Sequence, residues 1–272
     1  MTLNIIMKLV DVHNHINASL YKKNFEKFIQ DQIMEGMQSI IISGTNPKNN
    51  REVLQLSKKY PIIKASLGVY PTDAIGINES GDLLPTHEGE ININEELKFF
   101  EENLEHIISI GEIGMDFYQA DKSTYNKQNE NFMKILDWCK KHDKSVVIHS
   151  RKAEKECLET LSKYPELRVI NHCFSGKKKL IKQGVELGHF FSVPPSVVHA
   201  QNFQILVEIV PLNQLLTETD SPFMGPNREW PNKPSNSKFT IQKIAEIKNL
   251  SEDLVEKQIL ENYKKAFNVD EF

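Results

Sequence analysis

The sequence predicts an α/β protein, a single (β/α)8 TIM barrel that spans residues 1–272. Short apolar runs, of the kind that form buried parallel strands, recur eight times along the chain. Segments with helical periodicity lie between the runs, which indicates repeated βα units and a parallel sheet. The length of 272 residues suits one barrel of about 250 residues. Eight units at this length favour a closed barrel over a doubly wound sheet.

The order of the predicted elements follows from these patterns. The predicted strands lie near residues 8–13, 39–43, 62–68, 107–112, 145–149, 167–172, 189–193 and 214–218. The predicted helices lie at residues 24–37, 48–60, 94–107, 124–142, 153–164, 177–188, 196–210, 239–249 and 251–267. Two long loops, 74–93 and 221–237, follow strands, so we expect both on the catalytic face as walls or lids of a substrate site.

Composition excludes several classes of protein. The net charge of −4 excludes a strongly basic nucleic-acid binder, although a local basic patch remains compatible with it. The odd number of cysteines, three, and the absence of a CxxC pattern indicate a reduced, cytoplasmic protein. No apolar stretch approaches the roughly 20 residues of a membrane span, so we expect no membrane association. The oligomeric state is left open.

Seven polar residues stand at the ends of apolar runs, where a barrel builds its chemistry. They are His13, His15, Glu112, His149, His172, Glu218 and Asp220. Imidazole and carboxylate groups are metal ligands. Their repetition at the end of strand after strand predicts a metal-dependent hydrolase.

The spacing of these residues suggests individual roles. His13 and His15 alternate on one strand, so both can reach one ion. Glu112 is a carboxylate at the end of a buried strand and can bridge two cations. His149 and His172 are one βα unit apart, which places them side by side.

The last strand supplies two carboxylates. Asp220 can bind metal and accept a proton from water. Glu218 lies two residues earlier, deeper in the barrel, where it can orient a ligand rather than bind the ion.

Other residues near this face are assigned by position. Arg151 directly follows a ligand strand and is a candidate phosphate ligand, and Trp230 is a candidate for stacking a base. We expect the Cys173 side chain to point away from that of His172. The remaining histidines are interpreted as surface or structural residues; they are His87, His106, His142, His189 and His199.

Taken together, these motifs resemble the TatD-type metal-dependent DNases of the amidohydrolase superfamily, over nearly the whole length. The matching stretches are DVHNH at 11–15, GVYP at 68–71, GEIGMDF at 111–117, VIHSRKA at 147–153, NHCFSG at 171–176, ETDSPF at 218–223 and ENYKKAF at 261–267. The resemblance implies a (β/α)8 barrel with two divalent cations, Mg, Mn or Zn. It also implies a DNA substrate, single-stranded or at its 3′ end, shortened from that end.

The resemblance further implies a distribution of roles. One ion would be held by His13, His15, Glu112 and Asp220, and the other by Glu112, His149 and His172. The catalytic residues would be Asp220, as proton acceptor, and Glu112, as the bridging ligand. One departure concerns Tyr70, which stands where the family usually has a histidine near the substrate phosphate. Tyrosine can donate a hydrogen bond but is neutral near pH 7.

Two alternatives remain open at this stage. Related amidohydrolase enzymes cleave cyclic amides, lactones, phosphotriesters or, in a similar site, aminoacyl-tRNA esters, with nearly the same ligands. Many of them bridge their metals with a modified lysine, whereas this chain offers Glu112. A non-catalytic binding module on a decayed barrel is the other alternative, and the complete ligand set argues against it.

Overall fold

Eight parallel strands form the barrel in the order in which they follow one another along the chain. The computed structural model describes residues 6–77, 83–228 and 230–272. Within these residues each strand pairs with the next one in sequence. The strands are β1 Leu9–Asn14, β2 Met37–Ser43, β3 Ile63–Leu67, β4 Ile107–Gly114, β5 Ser145–His149, β6 Val169–Asn171, β7 Phe190–Val193 and β8 Leu215–Thr217.

The sheet turns back towards its first strand. The backbone N–H groups of Thr219 and Asp220, just past β8, donate to the carbonyl oxygen of His13 at the end of β1, at 3.3 and 2.9 Å. The predicted (β/α)8 class is therefore confirmed. The strands β6 and β8 are three residues each, so their site residues lie just beyond the strand ends.

Helices follow the strands in the part of the chain that the structure describes. They are α1 Phe25–Met34, α2 Pro47–Lys59, α3 Ile93–Glu102, α4 Tyr125–Lys141, α5 Glu154–Leu161, α6 Lys178–Glu186, α7 Gln201–Ile209, α8 Ser237–Lys248 and α9 Glu252–Phe267. Among the described residues, none of these helices is long and apolar enough to cross a membrane. The start of α2 shows how sequence sets a boundary, because Asn46 Oδ1 accepts from the N–H of Asn49 and Pro47 occupies the first turn.

The amino-terminal end of the barrel is closed by α9. The hydroxyl groups of Ser39 and Tyr263 are hydrogen-bonded at 2.7 Å, and Ser145 Oγ donates to the carbonyl oxygen of Ala266 at 2.6 Å. These side chains are buried and paired. The barrel is thus sealed at one end, and its accessible chemistry lies at the other.

The two long loops border the carboxyl-terminal end, as expected. In the loop 74–93, Asn46 Nδ2 donates to the carbonyl oxygen of Pro85 at 2.7 Å. Residues 78–82 of that loop lie outside the described residues. In the loop 221–237, Asn232 Nδ2 donates to the carbonyl oxygens of Thr219 and Phe223 at 2.9 and 2.7 Å.

Candidate metal centre

The six predicted metal ligands converge in one buried cluster at the carboxyl-terminal end of the barrel. His13 Nε2 lies 3.7 Å from Glu112 Oε2 and 3.6 Å from Asp220 Oδ1. His15 Nε2 lies 3.7 Å from each of the same two oxygens. Two imidazole nitrogens and two carboxylate oxygens from β1, β4 and the end of β8 therefore face one point.

The second oxygen of Glu112 faces a different pair of histidines. Glu112 Oε1 lies 2.6 Å from His149 Nδ1 and 3.7 Å from His172 Nε2. Within the described residues, Glu112 belongs to two of the groups whose ligand atoms are close enough to hold an ion, one with His13 and His15 and one with His149 and His172. One carboxylate thus lies between two sets of imidazoles.

The spacing of the cluster fits a divalent cation. His13 Nε2 is buried and has no hydrogen-bond partner among the described residues. The N···O separations of 3.6–3.7 Å around it are too long for hydrogen bonds. Two ligands that each lie about 2.1 Å from one zinc-sized ion at tetrahedral to trigonal angles are about 3.4–3.6 Å apart. The spacing around His13 is therefore what an ion would need with little rearrangement, whereas the 2.6 Å contact of Glu112 Oε1 with His149 Nδ1 would have to open to admit one.

The first two imidazoles are oriented by Ser43 at the end of β2. His15 Nδ1 donates to the Ser43 carbonyl oxygen at 3.1 Å, and His13 Nδ1 is 2.9 Å from Ser43 Oγ. The carbonyl can only accept, so it fixes the proton of His15 on Nδ1. This leaves the Nε2 lone pair of His15 directed at the cluster.

His172 is oriented by Glu218, the carboxylate that the sequence placed deeper in the barrel. His172 Nδ1 lies 2.7 Å from Glu218 Oε2, which also accepts from Ser192 Oγ at 2.7 Å. The other oxygen of Glu218 accepts from the N–H of Cys173 at 2.9 Å. Glu218 is fully buried and holds His172 with Nε2 towards Glu112, the carboxylate–imidazole arrangement common behind metal ligands.

Asp116 plays the corresponding part for His149, and sequence analysis did not identify it. His149 Nε2 lies 2.7 Å from Asp116 Oδ2, while Asp116 Oδ1 accepts from the N–H groups of Tyr118 and Gln119, both at 2.7 Å. Asp116 lies beyond the end of β4, so alternation along the strand could not assign it. Its position inside the matched GEIGMDF stretch was the only signal in the sequence.

Charges in the cluster shift the pKa values of its carboxyl groups in opposite directions. Burial raises the pKa of Glu112, but the charge and hydrogen bond of His149, with the charges of His13 and His172, hold it well below its usual range. Burial raises the pKa of Asp220 to about 7, and the charge of Glu112 adds to the rise although His172 opposes it. Asp220 is thus the carboxyl group that more readily takes up a proton.

The pKa values of the imidazoles also shift in opposite directions. Burial lowers the pKa of His13 and His15, and His172 lowers that of His13 further. Burial also lowers the pKa of His172, but the charge and hydrogen bond of Glu218 outweigh it and raise the value to about 10. The His13 and His15 side chains are therefore neutral before a metal binds, whereas His172 has to lose a proton before it can bind one.

A cavity of about 950 Å³ opens above the cluster. Arg151 and Trp230, the predicted phosphate and base contacts, both line it, and the guanidinium of Arg151 stacks 3.7 Å above the ring of Tyr118. From the loop 74–93, the stretch 83–86 (LLPT) lines the same cavity. The described part of that loop thus presents apolar side chains rather than acidic ones to a substrate.

Tyr70 also lines the cavity, beside the His149–Asp116 pair. Its hydroxyl donates to Asp116 Oδ2 at 3.2 Å and lies 3.3 Å from His149 Nε2. The phenol therefore contacts the group that orients His149, as well as the cavity.

One sequence-based assignment differs from the structure. Cys173 lines the cavity instead of pointing away from it, because β6 ends at Asn171 and Cys173 has a φ of 42°, which breaks the strand alternation. His199, interpreted as a surface or structural residue, also lies on the cavity wall.

Comparison with known proteins agrees with this architecture. The sequence model described as "TatD related DNase" matches residues 10–268. The chain is 31% identical to an uncharacterized metal-dependent hydrolase, MJ1582, of Methanocaldococcus jannaschii, covering 96% of this chain and 97% of that protein. It is 26% identical to human deoxyribonuclease TATDN3, covering 95% and 94%. The crystal structure of YJJV, a TatD homolog from Escherichia coli, superposes with a TM-score of 0.85 at 24% identity, covering 97% and 100%.

Proposed function

The chain belongs to the TatD-related DNase family and is a metal-dependent hydrolase of the TatD type, and from that premise we propose that it cleaves phosphodiester bonds of DNA. We propose removal of nucleotides from the 3′ end of a single strand. The observation that carries the proposal is the bridging position of Glu112, whose two oxygens face two different pairs of histidines. The name of the human relative supports DNA as the substrate.

Two divalent cations, Mg, Mn or Zn, are part of the proposal. His13, His15, Glu112 and Asp220 would hold one, and Glu112 with His149 and His172 the other. Bound cations would lower the pKa of the attacking water and neutralise charge on the phosphate.

Different residues of the chain then carry out different parts of the reaction. The Asp220 carboxylate takes the proton of the attacking water. Arg151, on the cavity wall, binds a non-bridging oxygen of the scissile phosphate. The oxygen of the water forms a new bond to phosphorus as the bond from phosphorus to the 3′ oxygen breaks, and the departing 3′ oxygen takes a proton from solvent. Glu218 and Asp116 keep His172 and His149 oriented throughout.

The proposed location is the cytoplasm. All three cysteines are free in the described residues, and Cys139 and Cys157 are buried. Reduced, unpaired cysteines are typical of that compartment.

The test is cleavage of a 5′-labelled single-stranded oligonucleotide with Mn²⁺ or Mg²⁺. We expect a metal-dependent ladder that shortens from the 3′ end and is absent with Glu112→Ala. Glu105→Ala is the matched control, because it removes an exposed carboxylate at the amino-terminal end of the barrel. Failure of the folded, metal-loaded protein to cleave DNA would contradict the proposal and favour an aminoacyl-tRNA ester or a small-molecule substrate.

A further inference from the structure

The four arginines of the chain fall into two classes. Arg51 and Arg168 form ion pairs with carboxylates, at 2.6 and 2.9 Å, and neither lines the cavity. Arg151 and Arg228 both line the cavity, and neither has a carboxylate partner among the described residues. Unpaired guanidinium groups on a cavity wall are available to an anion that enters it.

The two cavity arginines lie in different parts of the barrel rim. Arg151 lies two residues beyond the end of β5, whereas Arg228 lies in the loop between β8 and α8. These strands are three positions apart around the barrel, with the metal-ligand cluster between them. If Arg151 binds the scissile phosphate, Arg228 is left for a second anionic group of the same substrate.

The loop that carries Arg228 is fixed to the segment before α7. His199 Nδ1 donates to the carbonyl oxygen of Pro226 at 2.9 Å, and the N–H of Ser196 donates to the carbonyl oxygen of Met224 at 2.9 Å. A carbonyl oxygen only accepts, so the first bond uses the Nδ1–H of His199. The His199 ring therefore holds the loop of Arg228 in place beside the cavity.

An aromatic pair completes the same wall. The rings of Phe223 and Trp230 lie 5.6 Å apart between centroids, and both line the cavity. Their side chains are 43% and 56% exposed, which is unusual for large apolar groups. Aromatic faces of this kind stack nucleobases irrespective of sequence.

Resting on the proposed function, we propose that Arg228 binds the phosphate next to the scissile one, while Trp230 stacks a base. The substrate class is then a nucleic-acid strand with at least two phosphodiester groups. A phosphomonoester, a cyclic amide or a lactone has neither a second phosphate to contact Arg228 nor a base to stack on Trp230. A cavity of about 950 Å³ also exceeds the needs of a single phosphate.

The test compares two substrates that share the scissile chemistry. One is a single-stranded hexathymidylate, and the other is bis(4-nitrophenyl) phosphate, which has one phosphate and no base. We expect Arg228→Gln to lower kcat/KM for the hexathymidylate about tenfold more than for the small diester, since a charge-assisted hydrogen bond to phosphate is lost. We expect Arg228→Gln to act mainly by raising KM for the hexathymidylate, with a smaller change in kcat. Trp230→Ala should also lower kcat/KM for the hexathymidylate more than for the small diester.

Salt dependence and direct binding supply independent readouts. Arg228→Gln should flatten the slope of log kcat/KM against log salt concentration by about 0.7 for the oligonucleotide. It should also weaken binding of labelled hexathymidylate to the Asp220→Asn protein, measured by fluorescence anisotropy. Lys257→Gln, which removes a charge from an exposed residue of α9, is the matched control and should change none of these quantities.

The outcomes separate the two proposals. Equal effects of Arg228→Gln on both substrates would assign Arg228 to the scissile phosphate and overturn the second subsite. No effect on either substrate would overturn it as well, with the proposed nuclease function intact. Wild-type protein that hydrolyses neither substrate with Mn²⁺ or Mg²⁺ would overturn the proposed function and this inference with it.

Discussion

The two ends of the barrel bury polar groups in opposite ways. At the amino-terminal end, neutral groups satisfy one another, as in the 2.7 Å bond between Ser39 and Tyr263 and the 2.6 Å bond from Ser145 to the carbonyl oxygen of Ala266. At the carboxyl-terminal end, His13 Nε2 is buried without a partner, surrounded by carboxylate oxygens too distant to bond it. The hydroxyl groups that close the barrel at one end are paired within the chain, whereas the cluster at the other end fits a ligand that the chain does not supply.

This difference separates stability from function. A buried polar group without a partner costs about 1–3 kcal/mol, so the carboxyl-terminal end lowers the stability of the protein until a cation binds. The paired hydroxyl groups of Ser39, Tyr263 and Ser145 carry no such cost. Changes at the amino-terminal end should therefore alter folding alone, and changes at the other end should alter metal binding and activity.

The largest expected effect is on folding, from Asn262→Ala at the amino-terminal end. Asn262 is buried, and its Nδ2 donates to the carbonyl oxygens of Leu212 and Leu215, both at 2.7 Å. The substitution removes both bonds, and the Leu212 carbonyl oxygen keeps only the N–H of Leu215, so it should cost about 3 kcal/mol. Chemical denaturation in the presence of a metal chelator measures the free energy of unfolding of the metal-free protein.

Gln258→Ala is the matched control for Asn262→Ala. It removes only the 2.8 Å hydrogen bond from Gln258 Nε2 to Asn262 Oδ1 and should cost about 1 kcal/mol. Both variants should keep the wild-type activity per folded molecule. A fall in metal affinity with Asn262→Ala would show that the two ends are coupled.

The second expected effect is stabilisation of the protein by divalent cations. Binding to the folded state alone adds about 2.7 kcal/mol at a hundredfold excess over Kd, which corresponds to a rise in Tm of roughly 5–10 °C. Glu112→Gln should lose most of this rise, because Glu112 contacts both groups of histidines. Differential scanning fluorimetry with and without Mn²⁺ measures this rise in Tm for both proteins.

A charge-matched variant at the other end tests whether the effect is local. Glu105→Gln removes an exposed carboxylate at the amino-terminal end and should keep the full rise in Tm. If Glu112→Gln and the wild type respond equally to Mn²⁺, the cation binds elsewhere, and the assignment of the cluster as the metal centre is wrong.

The sequence predicts the fold well, because strand ends and ligand positions follow from periodicity. His13 and His15 are fixed by alternation on β1, and Glu112, His149 and Asp220 by the points at which apolar runs stop. The structure brings these residues together at one end of the barrel. Their proposed catalytic roles stay predictions.

The sequence fails where loops, not strands, place the side chain. Asp116 and His199 both lie beyond strand ends, where alternation no longer indicates direction. Cys173 is misassigned for the same reason, since its positive φ turns it into the cavity. Contacts such as that of Asp116 with His149 join segments 33 residues apart and are visible only in the folded chain.

The smallest of the three effects concerns the orientation of one imidazole, through Asp116→Asn. The Asn side chain retains an oxygen for the N–H groups of Tyr118 and Gln119, so stability should change little. Its amide N–H₂ would then face His149 Nε2 and favour the tautomer with the proton on Nδ1. That proton would occupy the nitrogen that faces Glu112 Oε1, and activity should fall about 10–100-fold.

Tyr70→Phe separates orientation from simple loss of a contact. It removes one hydrogen bond to Asp116 Oδ2 without presenting a new donor to His149, so it should lower activity less than Asp116→Asn. Imidazole ¹⁵N shifts of the metal-free proteins report the tautomer directly. A changed tautomer in Asp116→Asn with wild-type activity would show that His149 need not bind through Nδ1, and the second group of ligands would then have to be reassigned.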